Sequence, residues 1–124
     1  MKTILVVDDE EKVRKLYYDL FTEEGFHVKL ASNVLAALKI IGRKKIDVML
    51  LDINMPEIEG TVLYQISKLF HKEVKIIVSS VYPIAFQLEK IQGAVDYYDK
   101  SNGIDELLKK VKKVLDTDKL IQTQ

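Results

Sequence analysis

An α/β fold with a doubly wound, five-stranded parallel sheet is what this sequence predicts, on three observations. Short apolar runs alternate with amphipathic stretches five times along the 124 residues. Most of the runs are apolar almost throughout, as strands buried on both faces are. Each is separated from the next by enough chain for a helical crossover, which parallel strands require.

The first run, Thr3–Val7 (TILVV), meets that description. Val13, Leu16, Tyr17, Leu20 and Phe21 then fall on one face of a helix closed by Gly25. His27–Ala31 (HVKLA) alternates with period two and suits an exposed edge strand. Asn33 is placed to cap a helix carrying Val34, Leu35, Leu38 and Ile41, which Gly42 ends. Val48–Leu51 (VMLL) is a second buried strand, and Val62, Leu63, Ile66 and Phe70 fit a third helix. Lys75–Ser79 (KIIVS) is the fourth strand. Ile84, Leu88 and Ile91 fit a short helix ending at Gly93, before a fifth strand over Val95–Asp99 (VDYYD). The strongest helical pattern comes last, in Ile104, Leu107, Leu108, Val111, Val114 and Leu115. One domain is expected over 1–117, with 118–124 a polar tail or the start of a linker. A single-domain protein and a piece of a longer one both stay open.

Composition removes several function classes. Lys plus Arg and Asp plus Glu are 19 each, and this zero net charge argues against coating nucleic acid or a membrane surface. Without cysteine there is no disulfide framework, thiol nucleophile or zinc-thiolate site. No apolar run approaches the roughly 20 residues of a membrane span. The opening MKTILVVDDEE turns acidic after a short apolar run, unlike a signal peptide, so the expected location is the cytoplasm.

In parallel α/β sheets the site lies beyond the carboxyl ends of the strands. Here the first strand is followed by Asp8 and Asp9, the third by Asp52, and the fourth ends in Ser79 and Ser80. The fifth leads into Lys100. Unit charges about 4 Å apart interact by roughly 4 kcal/mol at an effective dielectric of about 20, so three carboxylates need compensation. Mg²⁺, a hard cation with oxygen ligands, supplies it, and Lys100 adds a second positive charge. Such a cluster suits phosphoryl transfer, with a carboxylate as the nucleophile.

Four segments carry a resemblance: VVDD (Val6–Asp9), LLDINMPEIEG (Leu50–Gly60), IIVSS (Ile76–Ser80) and DYYDKS (Asp96–Ser101). In this order and spacing they resemble the receiver domain of two-component response regulators, from about Lys2 to Leu115. The resemblance implies a flavodoxin-like (βα)5 fold with strand order 2-1-3-4-5. It implies Asp52 as phosphoacceptor, Asp9 as direct metal ligand, and Asp8 as the acid that acts through water or helps place the metal. The Asn54 backbone carbonyl would complete the Mg²⁺ set with Asp52. Lys100 matches the lysine that pairs with the phosphoryl group, Ser79 the switch hydroxyl, and Tyr97 the aromatic that reports activation. Pro56 and Gly60 would fix the turns of the loop after Asp52.

The implied partners are a histidine kinase or histidine phosphotransfer protein, and an output domain or downstream protein. The latter would read the face made by the fourth helix, fifth strand and fifth helix. A phosphorylation-dependent homodimer fits the same pattern; membrane and direct nucleic-acid binding do not. The chain is then a signalling switch that catalyses only its own phosphoryl transfer and dephosphorylation.

Plainer readings stand beside these. Asp8 and Asp9 would also serve to cap the first helix. Ser79 alone is an ordinary strand-end hydroxyl, Tyr97 alone is strand packing, and Tyr17 reads as helix packing. His27 and His71 have no ligand-like spacing. Two other functions compete: a metal-dependent aspartyl-phosphate hydrolase, and a receiver-like adaptor that works without phosphorylation. Hydrolases of that kind carry the nucleophile after the first strand with an acid two residues on, whereas here Asn54 stands two beyond Asp52. The full acidic set with Lys100 speaks against the adaptor. Two departures from the family pattern stand out. Ser101 follows Lys100 where proline is usual, which predicts a trans bond and a looser loop with Asn102 and Gly103 as turn and cap. Ser79 stands where threonine is commoner.

Overall fold

The computed structural model describes residues 1–55 and 57–123, with side chains as far as 116. Five strands alternate with five helices: β1 (Thr3–Val7), α1 (Glu11–Glu23), β2 (His27–Ala31), α2 (Val34–Ile41), β3 (Val48–Leu51), α3 (Gly60–Phe70), β4 (Lys75–Ser80), α4 (Ile84–Lys90), β5 (Asp96–Asp99) and α5 (Ile104–Thr123). All strand pairs are parallel, in the order β2-β1-β3-β4-β5. The fold class and strand order are those expected. Helix α5 runs on past Leu115 to Thr123, over most of the segment expected to be a tail. Among the described residues, no helix is long and apolar enough to cross a membrane.

The pleat divides the core in two. Leu5, Val7, Met49, Leu51, Ile76, Val78 and Tyr97 point to the side covered by α2, α3 and α4. Ile4, Val6, Val48, Leu50, Ile77 and Tyr98 point to the side of α1 and α5, where Tyr17, Phe21, Leu107 and Val111 meet them. The central strands β1 and β3 are buried on both faces, which is why they read as unbroken apolar runs. At the edge, β2 has mostly exposed side chains and therefore alternates.

Helix ends follow their residues. The Asn33 side chain accepts from the Ala36 N–H at 2.8 Å and caps α2. Gly25 closes α1 with φ of 90°, a left-handed turn in which Phe26 N–H reaches back to the Phe21 carbonyl.

Some helix faces differ from the sequence pattern. Leu16, Leu35, Val62, Phe70 and Leu88 are exposed, while Ala37, Tyr64 and Ser67 are buried instead. On α4 the fully buried residue is Gln87, whose Nε2 donates to the carbonyls of Tyr82 (2.7 Å) and Tyr98 (2.9 Å). That helix stops at Lys90, short of Gly93. This polar amide ties α4 to the loop after β4 and to β5, so apolar periodicity could not find the inward position.

Candidate functional site

The ladder carries the key residues one step past the strands. Asp8 N–H donates to the Ala31 carbonyl at 3.1 Å, Asp52 N–H to the Val7 carbonyl at 3.0 Å, and Lys100 N–H to the Ser80 carbonyl at 2.8 Å. Each side chain is thus aimed by a backbone still paired to its neighbour strand. Carboxylate oxygens of Asp8, Asp9 and Asp52 lie within 4.8 Å of one another. Asp8 and Asp52 are buried and Asp9 is exposed.

Burial has an electrostatic consequence for Asp52. The Asp52 carboxyl is pushed from 3.8 up to about 7, chiefly by burial, with the Lys100 charge opposing and Asp8 and Asp9 adding to it. Lys100 Nζ lies 2.5 Å from Asp8 Oδ2 and 3.6 Å from Asp52 Oδ2. Burial would lower the Lys100 ammonium, but the Asp8 hydrogen bond and the charges of Asp52, Asp8 and Glu10 outweigh it and hold it above its usual range. Asp8 Oδ1 also accepts from the Glu10 N–H at 3.0 Å, and its carbonyl from Arg14 Nη1 at 2.7 Å. The N-cap of α1 is Glu10, and no side chain caps it. Asp8 and Asp9 face the cluster, and Asp8 at the same time receives the N–H of the N-cap residue Glu10.

The loop after β3 is shaped around Asp52. Asn54 N–H donates to Asp52 Oδ1 at 3.2 Å. Gly60 N–H donates to the Ile53 carbonyl at 3.0 Å, and a Cβ at Gly60 would stand 2.1 Å from the Asp52 carbonyl oxygen. Gly60 is thus required by close approach and not, as its place in MPEIEG suggested, by a turn. Pro56 lies outside the described residues. Glu57 takes a left-handed φ of 70°, a conformation non-glycine residues seldom adopt.

After β5, the loop expected to be loose is pinned. Asp99 Oδ1 accepts from the Ser101 N–H and hydroxyl at 2.8 and 2.7 Å. Asn102 N–H donates to the Asp99 carbonyl at 2.9 Å, and Tyr98 Oη donates toward the Asn102 and Gly103 carbonyls at 2.6 and 3.1 Å. Side-chain and backbone bonds thus do the holding that a proline ring would otherwise do. Among the described residues no peptide bond is cis, as the Lys100–Ser101 pair predicts.

The two tyrosines of β5 face opposite ways. Tyr97 is already packed inside, its hydroxyl donating to the Ile91 carbonyl at 2.8 Å and accepting from Ala94 N–H at 3.3 Å. Ser79 is buried, and its hydroxyl sits 3.2 Å from the Tyr17 hydroxyl. Tyr17, read from sequence as packing only, therefore reaches the site from beneath; nothing in helical periodicity tells an inward tyrosine with a polar partner from one without. Its hydroxyl is pushed up to about 12, first by burial, against the Ser79 bond and with the charges of Asp8, Asp52 and Glu10 adding.

Known proteins resemble this chain over most of its length. Residues 4–112 match the family model described as response regulator receiver domain. The chain is 32% identical over 117 residues to sporulation initiation phosphotransferase F of Bacillus subtilis, covering 90% of this chain and 92% of that one. It is 34% identical over 121 residues to an NtrX-like response regulator of Rickettsia typhi, covering 94% of this chain but only 26% of that longer one. The response regulator protein TrrA of Thermotoga maritima, solved with Mg²⁺ and BeF, is similar at a TM-score of 0.84 and 38% identity, covering 92% of this chain and 99% of that one. The same protein solved with histidine kinase ThkA gives 0.81 and 37%, covering 93% and 99%.

Proposed function

Since this chain belongs to the response regulator receiver family, we propose that it is a phosphorylation switch whose acceptor is Asp52. The carrying observation is the convergence of Asp8, Asp9 and Asp52 within 4.8 Å with Lys100 Nζ among them. An all-oxygen donor set with two buried acids and one exposed suits Mg²⁺. Asp8, Asp9, Asp52 and the Asn54 carbonyl would hold the ion. Bound there, it would offset the carboxylate charge and that of an incoming phosphoryl group.

The protein's own groups do the rest. An Asp52 carboxylate oxygen attacks the phosphorus of a phosphohistidine on a kinase or phosphotransfer protein. A P–O bond forms, the P–N bond breaks, and the histidine nitrogen keeps the electron pair. Lys100 turns from Asp8 toward the phosphoryl oxygens, and the Ser79 hydroxyl donates to them. Local charge thereby biases a two-state equilibrium of the face built from α4, β5 and α5. Phe86 and Leu88 on α4 and Val81 before it are exposed apolar residues, and an output domain, a downstream protein or a second copy would read this face. The kinase complex of TrrA supports a histidine kinase as donor. The setting this implies is the cytoplasm.

Incubation with acetyl phosphate and Mg²⁺ tests the reading. Stoichiometric hydroxylamine-labile phosphate is expected on the protein and none on Asp52→Asn. Turnover of many phosphate esters would mark a hydrolase, and no label at all an adaptor.

A further inference from the structure

The Tyr17–Ser79 contact joins α1 to the switch residue, across 62 positions of sequence. We propose that Tyr17 is a positioning residue that restrains the Ser79 hydroxyl, so that it opposes the turn of Ser79 toward a phosphoryl group on Asp52. The inference rests on the phosphorylation reading above and adds to it a residue outside the acidic cluster.

Hydrogen-bond supply sets the restraint. Tyr17 is 3% exposed and Ser79 is 1% exposed, so water does not serve either hydroxyl freely. Among the described residues, each hydroxyl has the other as its hydrogen-bond partner. A buried tyrosine hydroxyl keeps a partner because losing it leaves the full desolvation penalty. Either hydroxyl can donate in this contact; with Ser79 as the donor, its single proton must leave Tyr17 to reach a phosphoryl oxygen, which only accepts. Drawing Ser79 toward the phosphoryl group lengthens its contact with Tyr17. That helix cannot follow easily, because the Tyr17 ring is wedged against Phe21 (ring centroids 6.4 Å) beneath β1 and β3. Movement of Ser79 therefore strands the Tyr17 hydroxyl. Serine suits the arrangement, since it lacks the methyl that limits rotation in threonine.

The test measures binding of beryllofluoride with Mg²⁺, which stands in for the phosphoryl group, to wild type, Tyr17→Phe, Ser79→Ala and the double variant. Removing one opposing hydrogen bond should tighten binding by Tyr17→Phe about three- to tenfold. The same substitution in the Ser79→Ala background should change nothing, because a purely structural role of the tyrosine would persist there and a restraint on the serine hydroxyl would not. Unchanged affinity for Tyr17→Phe overturns the inference. So does weaker binding, which would mean that Tyr17 supports the donation by Ser79. Should Tyr17→Phe fail to fold, Tyr17→Leu removes the hydroxyl by another route with the same expectation. Wild type that binds no beryllofluoride would overturn the phosphorylation reading itself and this inference with it, whereas wild type that binds with no effect of Tyr17 overturns this inference alone.

Discussion

Two aspartates flank β3, Asp47 before it and Asp52 after it, and they live differently. Asp47 Oδ2 accepts from the Thr3 N–H at 2.8 Å, while its N–H donates to the Thr3 carbonyl at 3.0 Å and its carbonyl accepts from the Lys75 N–H at 3.2 Å. Lys2 Nζ stands 3.8 Å from its carboxylate. Every part of Asp47 is used to tie β1, β3 and β4 together at the amino end of the sheet. Asp52 is tied by its backbone in the same way, but its carboxylate faces two further acids and one shared lysine. The lesson is that a strand-end aspartate becomes reactive by company. A carboxylate served by donors holds strands together; one crowded by its own kind stays poised for a cation and an electrophile.

The sharpest way to break the contrast is Gly60→Ala. A methyl there meets the Asp52 carbonyl backbone, which has no flexible end to yield. Labelling by acetyl phosphate should fall at least about tenfold, with stability lost by about 2–3 kcal/mol, the scale of overpacking a tight site. Equal labelling and equal urea midpoints would remove the glycine from the site's design.

Next in size is a pair of opposite signs. Asp52 titrates near 7 in the folded chain and at 3.8 as the ordinary value, so between those pH values the folded state holds a proton that the unfolded chain has released. Stability in the absence of divalent ions should therefore fall as pH rises through that window, by on the order of 2 kcal/mol. Asp52→Asn should flatten the slope and raise stability at pH 8. Asp47→Ala should instead lower stability by about 1–2 kcal/mol, as loss of a partner for the Thr3 amide does. Urea unfolding with EDTA at several pH values decides; a wild-type curve that rises with pH would contradict the assignment.

How far the sequence leads is clear from the same residues. Strand runs such as TILVV and VMLL are legible because burial on both faces erases polarity. Asp8, Asp9, Asp52, Ser79 and Lys100 are legible because parallel topology alone brings strand ends to one edge. Helix faces were less so: α3 and α4 place Ser67 and Gln87 inward, polar residues that no apolar period selects. Contacts between elements, Tyr17 to Ser79 and Gly60 to the Asp52 carbonyl, depend on three-dimensional closeness and leave no trace in spacing.

A smaller effect separates the two acids after β1. Asp8 is already engaged by Lys100 and the Glu10 N–H, whereas Asp9 is exposed. Asp9→Ala should weaken Mg²⁺ binding more than Asp8→Ala, several-fold in a titration. Unchanged affinity in Asp9→Ala would remove it from the ligand set.

The smallest expected effect concerns loss of phosphate. On the proposed reading, water reaching a phosphoryl group on Asp52 passes the residues two beyond Asp52 and two beyond Ser79. Here these are Asn54 and the exposed Val81, which offers no polar group. Val81→Gln should speed dephosphorylation and Asn54→Met slow it, each by about 1 kcal/mol in the barrier, the worth of one hydrogen bond. Decay of purified phosphoprotein at fixed Mg²⁺ checks both; identical rates would place the control elsewhere.

Gln87 gives α4 an unusual kind of mooring. An apolar plug slides and tilts with little penalty at each step, because dispersion has no preferred direction. An amide that grips two carbonyls, of Tyr82 and of Tyr98, works like a latch with one seat. Both bonds lose their alignment when the helix tilts, so this amide selects one seating of α4 over intermediate ones, a directional preference that an apolar residue at position 87 would not impose.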